Sequence, residues 1–210
     1  MLKIVIFAGG ESQYHDLLAG GAILQRLLLN RGLHAVLRQD FSLLNREESK
    51  QFDLYIFYTH DKLLTDKQQE ALATRIKEGK GFLPVHAASV ITKPGQQRHL
   101  ELVGSKFIEH DPFKRFKVEI EQDHFITNGV GTFNIEDELY VSEYVREPEK
   151  VLATAEQDGK KHPMLYINHL KQGRICYLAL GHDGRAWYNP GFQKLFYRSV
   201  LWCGKKETAH

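Results

Sequence analysis

GKGFLPVHAAS, residues 79–89, decides how the chain is read. Gly79 closes a helix, residues 82–85 form an apolar run of strand length, and that run stops at His86 before small residues. A strand that hands over to a helix at an imidazole is the pattern of an α/β unit with a reactive side chain at its carboxyl end. Pro84 is a local conflict, because proline cannot donate to a sheet ladder. Either the strand is irregular there or the ladder ends near His86.

Working outward, the preceding helix is marked by a capping box, Thr65 with Gln68, and by Leu72 and Ile76 on one face. Before it, DLYIFYT (residues 53–59) is rich in aromatic and aliphatic side chains, and residues 34–37 form a shorter strand. Residues 3–8 are a continuous Ile- and Val-rich run, as expected of a central parallel strand covered on both faces. Over residues 17–29, Leu17, Ile23, Leu24, Leu27 and Leu28 recur at helical spacing, with Gly32 as the stop. Alternating strands and helices imply right-handed crossovers, and hence an α/β fold with a three-layer, mainly parallel sheet flanked by helices.

Beyond Gln97 a short helix to about Val103 is expected, then a strand with one wet face over residues 116–122. Further strands fall at residues 139–145, 151–155, 164–167 and 174–180, and Asn189 with Pro190 opens a last helix. Nothing resembling a linker or repeat divides residues 1–210, so one domain is expected.

A 42% hydrophobic content over 210 residues can fill a sizeable core. The 28 basic and 26 acidic residues are mixed along the chain to a net +2, with no basic block to track a phosphate backbone, which argues against nucleic acid. Cys176 and Cys203 are too few for a disulfide framework or a thiolate zinc site, and a reducing cytoplasm fits. The apolar start MLKIVIFAGG is too short for a signal peptide or a membrane helix, so no membrane partner is expected.

In open α/β sheets, ligands bind beyond the carboxyl ends of the strands. There the sequence places His15 and Asp16, then His60 and Asp61, then His86, then Gly181, His182 and Asp183. Four segments thus deliver imidazole to one edge, and a neutral imidazole ligates metals and exchanges protons near neutral pH. The flanks single out His86, set among small residues, and His182, set beside a carboxylate between two glycines. Asp183 either orients His182 or caps the following turn. His60 and His34, taken singly, read as surface residues.

A second group comprises Phe107, Glu109, His110 and Asp111, then Asp123 and His124, then Glu136, Asp137, Glu138 and Tyr140. A run such as EDE is ordinarily solvated, most firmly at Glu136 and less so at Glu138, which precedes an apolar strand. AGGES lacks the lysine and hydroxyl residue of a phosphate-binding loop, and G-x-G-x-x-G, G-x-S-x-G and H-E-x-x-H are absent.

The order of YHD (residues 14–16), FDLYIFY (52–58), GKGFLPVHAA (79–88), LVGSKFIEH (102–110), DHFIT (123–127), DELY (137–140), KQGRICYLALGHD (171–183) and LW (201–202) resembles the trehalose-utilisation (ThuA-like) family along nearly the whole chain. That resemblance implies a flavodoxin-like, class I glutamine amidotransferase-like fold and a carbohydrate ligand, either a disaccharide or a keto-sugar derived from one. Pro84 and Phe125 depart from the family's usual GFVGIHAA and H-P-I-T, changes that would alter the pocket wall. True glutamine amidotransferases place a cysteine on the elbow after this strand and pair it with a histidine and an acid from a later strand end. Here the elbow holds His86, and His182 with Asp183 occupies a place similar to the later pair. An imidazole cannot form the thioester that glutamine hydrolysis needs, so that activity is excluded.

The imidazoles gathered at one sheet edge, together with the sugar-utilisation resemblance, point to a sugar-directed lyase or hydrolase. His86 would be the base that removes a proton beside a sugar ketone, and His182, oriented by Asp183, would be the acid or a second ligand. His15, Asp16, His60, His110 and Glu138 would bind substrate, with His15, His110 and Glu138 also placed to hold a divalent metal ion as cofactor. The rival is a non-catalytic sugar-binding or regulatory module that keeps the pocket without the chemistry. Tyr188 and Phe192 near the last helix are candidates for a homo-oligomer contact, and core packing explains them equally well.

Overall fold

The apolar run at the start of the chain becomes β1 (Ile4–Gly10), buried through its first five residues because sheet neighbours flank it and helices cover it. The structure, a computed structural model, describes residues 1–11 and 13–207. α1 (Leu17–Leu29) follows, capped by Asp16, and then come β2 (Ala35–Arg38) and β3 (Leu54–His60). The capping box of Thr65 and Gln68 opens α2 (Asp66–Lys77), which leads into β4 (Gly81–Val85). These four strands lie in the order β2-β1-β3-β4, all parallel.

The second half contains α3 (Gln97–Val103), β5 (Ser105–His110), β6 (Lys114–Ile120), β7 (Phe133–Asp137) and β8 (Tyr140–Tyr144). It continues with β9 (Lys150–Gln157), β10 (Lys160–Leu170), β11 (Gly173–Leu178), α4 (Gly184–Trp187) and α5 (Pro190–Cys203). β11 inserts beside β4 as a fifth parallel strand, and β10, β9, β6 and β7 extend the same sheet antiparallel to nine strands. β5 and β8 pair as a separate antiparallel ribbon. α1, α4 and α5 pack with one another on one face, and α2 with α3 forms a second group, so helices flank the sheet as expected.

Pro84 turns out to lie within a fully buried strand, in register with Phe57 of β3. Towards β11 the ladder pairs only Phe82 and Val85, and it ends one residue before His86. β5 and β7 were not expected, for a physical reason. β5 is largely exposed after Ser105, and β7 alternates inward at Ile135 and Asp137, so an acid occupies the second inward position and breaks the apolar period. Among the described residues no helix is long and apolar enough to cross a membrane.

Candidate functional site

At the end of β4, His86 takes φ +50°, in the left-handed region that side chains other than glycine seldom enter. This elbow opens a single 3-10 turn, His86–Ser89, all of it buried. The backbone is held there by the Tyr177 hydroxyl, which donates to the His86 carbonyl at 2.9 Å, with Ser89 Oγ 2.8 Å from the same hydroxyl. The imidazole is held by its Nδ1, which donates to the Ala179 carbonyl at 2.8 Å. A backbone carbonyl can only accept, so the Nδ1 proton is fixed and the neutral ring is left with its lone pair on Nε2, free to ligate.

That Nε2 stands 3.4 Å from Glu138 Oε2, and His182 Nδ1 stands 3.0 Å from the same oxygen. The His15 ring completes the group, with its centroid 4.6 Å from that of His182 and 5.1 Å from that of His86. One ligand atom from each of His15, His86, Glu138 and His182 lies within 4.8 Å of the other three, close enough for a single ion to reach all four. Both ring nitrogens of His15 and Nε2 of His86 are buried without a hydrogen-bond partner, and His182 Nδ1, despite its short distance to Glu138, is not aligned for one. Leaving one buried polar group unpaired costs about 1–3 kcal/mol. A whole domain is stable by only about 5–15 kcal/mol, so a cluster of such nitrogens is poor core filling and a good ligand set.

Electrostatics favour a cation at this point. Burial alone would raise the pKa of Glu138, but the rings of His182 and His86 outweigh it and hold the carboxyl well below its ordinary range. Burial, then the neighbouring His86, His182 and His60, lower His15 to about 2, so it is a neutral ring. For His182 burial works downward, and the close contact with Glu138 and the nearby carboxylates overcome it to give a raised pKa. Three imidazoles and one carboxylate form an N₃O set of the kind that zinc and other first-row divalent ions accept.

Two further expected residues line an adjacent hollow of about 370 Å³ that His15 and Glu138 also reach. The His60 ring lies tilted beside that of His15, with centroids 4.8 Å apart, and turns Nδ1 to the Glu11 carbonyl at 3.1 Å. His110 turns Nδ1 to the Asp111 carbonyl at 2.7 Å and brings Nε2 within 3.6 Å of Glu138 Oε1. Phe107, Tyr140 and Tyr14 give this hollow aromatic walls.

Two expected residues stand apart. Asp183 caps α4 through the Arg185 N–H at 2.9 Å, and the Arg185 guanidinium grips its carboxylate at 2.6 Å; the carboxylate that meets His182 is Glu138. Of the two readings open for Asp183, the turn cap is the one this geometry supports. Asp16 likewise accepts from Ala19 N at 3.0 Å as the cap of α1, with an exposed side chain, while its neighbour His15 points inward. Asp137 was passed over as part of a solvated run, yet it is fully buried. The inward register of Ile135 two positions earlier was the signal that could have placed it.

A family model described as ThuA, trehalose utilisation, matches residues 3–203. The chain belongs to the ThuA family. Its fold is that of a ThuA-like protein from Parabacteroides merdae, with TM-score 0.86 at 16% identity over 97% of this chain and 90% of that one. A ThuA-like protein from Bacteroides uniformis gives TM-score 0.81 at 17% identity, over 97% and 91%. The ThuA fold also matches part of a β-galactosidase from a Rahnella species, with TM-score 0.70 at 15% identity, covering 95% of this chain and 30% of the galactosidase. No curated protein matches the chain.

Proposed function

We propose that the chain is a sugar-directed lyase or hydrolase built around a divalent metal ion held by His15, His86, Glu138 and His182. The observation that carries this reading is the meeting of four donor atoms within 4.8 Å, several of them buried nitrogens without a protein partner. Support for a carbohydrate comes from the family's description, trehalose utilisation. When bound, the ion supplies fixed positive charge beside an oxygen on which negative charge develops.

A ketone on a sugar ring acidifies the neighbouring C–H, and loss of that proton lets a glycosidic substituent leave the next carbon. With His86 committed to the ion, the base is a ring at the hollow beside it. His60 and His110 both keep their Nδ1 on a backbone carbonyl and leave Nε2 free to receive or deliver a proton. Burial lowers the pKa of His60, which keeps it in the neutral form a base requires. Tyr14 and Phe107 supply apolar faces against which a sugar ring can lie.

The test is metal analysis of the purified protein, with assays on a disaccharide and its keto derivative in the presence and absence of chelator. The expected result is a stoichiometric divalent ion and turnover of the oxidised sugar that chelator abolishes and added metal restores. Sugar binding without turnover, insensitive to chelator, would instead make the chain a non-catalytic sugar-binding module.

A further inference from the structure

Asp137 ends β7 with a side chain that solvent does not reach. Among the described residues no lysine or arginine pairs with it, and an unpaired buried carboxylate is one of the costliest placements a fold can make. Its oxygens are taken up by three backbone groups. Gly181 N–H donates to Oδ2 at 2.7 Å, His182 N–H to Oδ1 at 3.1 Å, and Glu138 N–H to Oδ1 at 2.9 Å. The first two belong to the loop after β11 and the third to the residue after β7.

These strands are not neighbours. Three others, β10, β9 and β6, lie between them in the sheet. The Gly181 and His182 peptides are also gripped through their carbonyls: the Tyr58 hydroxyl donates to both, at 2.9 and 3.0 Å, and Trp187 Nε1 donates to that of Gly181 at 2.8 Å. One side-chain carboxylate therefore closes the only N–H side of a clamp whose two arms carry Glu138 and His182.

We propose that Asp137 is the positioning residue of the candidate metal centre, its three N–H bonds setting Glu138 from the sheet edge and His182 from the sheet middle at the spacing from which they act together. This rests on the metal-centre reading above. Both oxygens are needed: Oδ2 serves Gly181 while Oδ1 serves the other two. An asparagine would turn an NH₂ group towards at least one of these N–H donors, and donor would face donor.

The experiment compares wild type with Asp137→Asn. Zinc affinity is measured by competition with a chromophoric chelator, and the histidine ring nitrogens of the metal-free proteins are observed by NMR at one pH. The expected result is zinc affinity 10- to 100-fold weaker in the variant, in line with the effect of removing partners that orient metal ligands. The His182 ring signals should move, and those of His99, which packs against Phe57 and shares no hydrogen bond with Asp137, should stay. Should the variant not fold, wild type alone decides: on zinc loading, the Glu138, Gly181 and His182 amides should shift together while each keeps its through-hydrogen-bond coupling to the Asp137 carboxyl carbon. Equal affinity with unmoved His182 signals, or absence of that coupling, would overturn the proposal. A wild type that takes up no zinc, with His182 still dependent on Asp137, would sink the metal reading and leave the positioning of the two side chains standing.

Discussion

His86 Nε2 faces Glu138 Oε2 across 3.4 Å while Nδ1 of the same ring is tied to the Ala179 carbonyl. In its neutral form, with its one proton on Nδ1, the ring turns a lone pair towards the carboxylate, so two acceptors confront each other. A cation between them turns that repulsion into two bonds. His86→Asn tolerates the positive φ of the elbow, since asparagine enters the left-handed region readily, but its shorter side chain cannot reach the centre. Zinc affinity is expected to fall about 100-fold or more, beyond the 10- to 100-fold typical of outer partners. Calorimetric titration checks this, and an unchanged affinity would remove His86 from the ligand set.

Asp183 provides the contrasting case. Its carboxylate is occupied by the Arg185 backbone and guanidinium, and it serves as a helix cap. Asp183→Ala should therefore leave zinc affinity within about threefold of wild type and lower stability by about 1 kcal/mol, the usual worth of an N-cap. Denaturant titration run beside the metal titration separates the two effects. A large loss of metal with little loss of stability would return Asp183 to the site.

How far the sequence was legible follows from how each residue's role is encoded. β1, β3, β4 and β11 were readable because buried parallel strands are continuous apolar runs, and the caps at Thr65 and Asn189 are local signals. His15, His86 and His182 were readable because strand ends in this topology share one edge. Glu138 was visible only as an acid before an apolar strand, and Asp137 hardly at all, since its partners are backbone groups 44 and 45 residues away. Long-range hydrogen bonding of that kind leaves no periodicity behind. Asp16 and Asp183 drew attention for the converse reason: next to His15 and next to His182 stands an acid with a local job, capping the helix that follows.

Helix α1 reaches the site through Gly20, where a Cβ would stand 2.3 Å from Tyr58 Cε1 and 2.9 Å from Trp187 Cζ2. Tyr58 and Trp187 are the two side chains that hold the Gly181 and His182 carbonyls. Gly20→Ala overpacks that contact, with an expected loss of about 1–3 kcal/mol of stability. Because the displaced rings hold the His182 loop, zinc affinity should drop as well, although Gly20 touches no ligand. Thermal unfolding of the metal-free protein and zinc competition test the pair of effects, and destabilisation with full metal affinity would show that the clamp yields without moving His182.

His99 makes acid stability a separate question from the site. It lies fully buried in α3 against Phe57, both ring nitrogens lack a partner, and burial lowers its pKa from 6.5 to about 4. The folded ring is therefore neutral at pH values where an unfolded one would already be charged. Between about 6.5 and 4 the unfolded chain binds the extra proton, so stability falls as the pH drops through this window and levels off below it. At 1.36 kcal/mol per unit, the shift corresponds to at most about 3 kcal/mol. His99→Leu removes the titrating group while filling a similar volume, so between pH 7 and pH 4 the variant should lose less stability than wild type by up to that amount. The depressed pKa of His15 and the raised pKa of His182 act in both proteins and cancel from the comparison. Urea titrations at the two pH values measure the difference directly; parallel losses in the two proteins would mean that His99 is charged or solvated in the folded state.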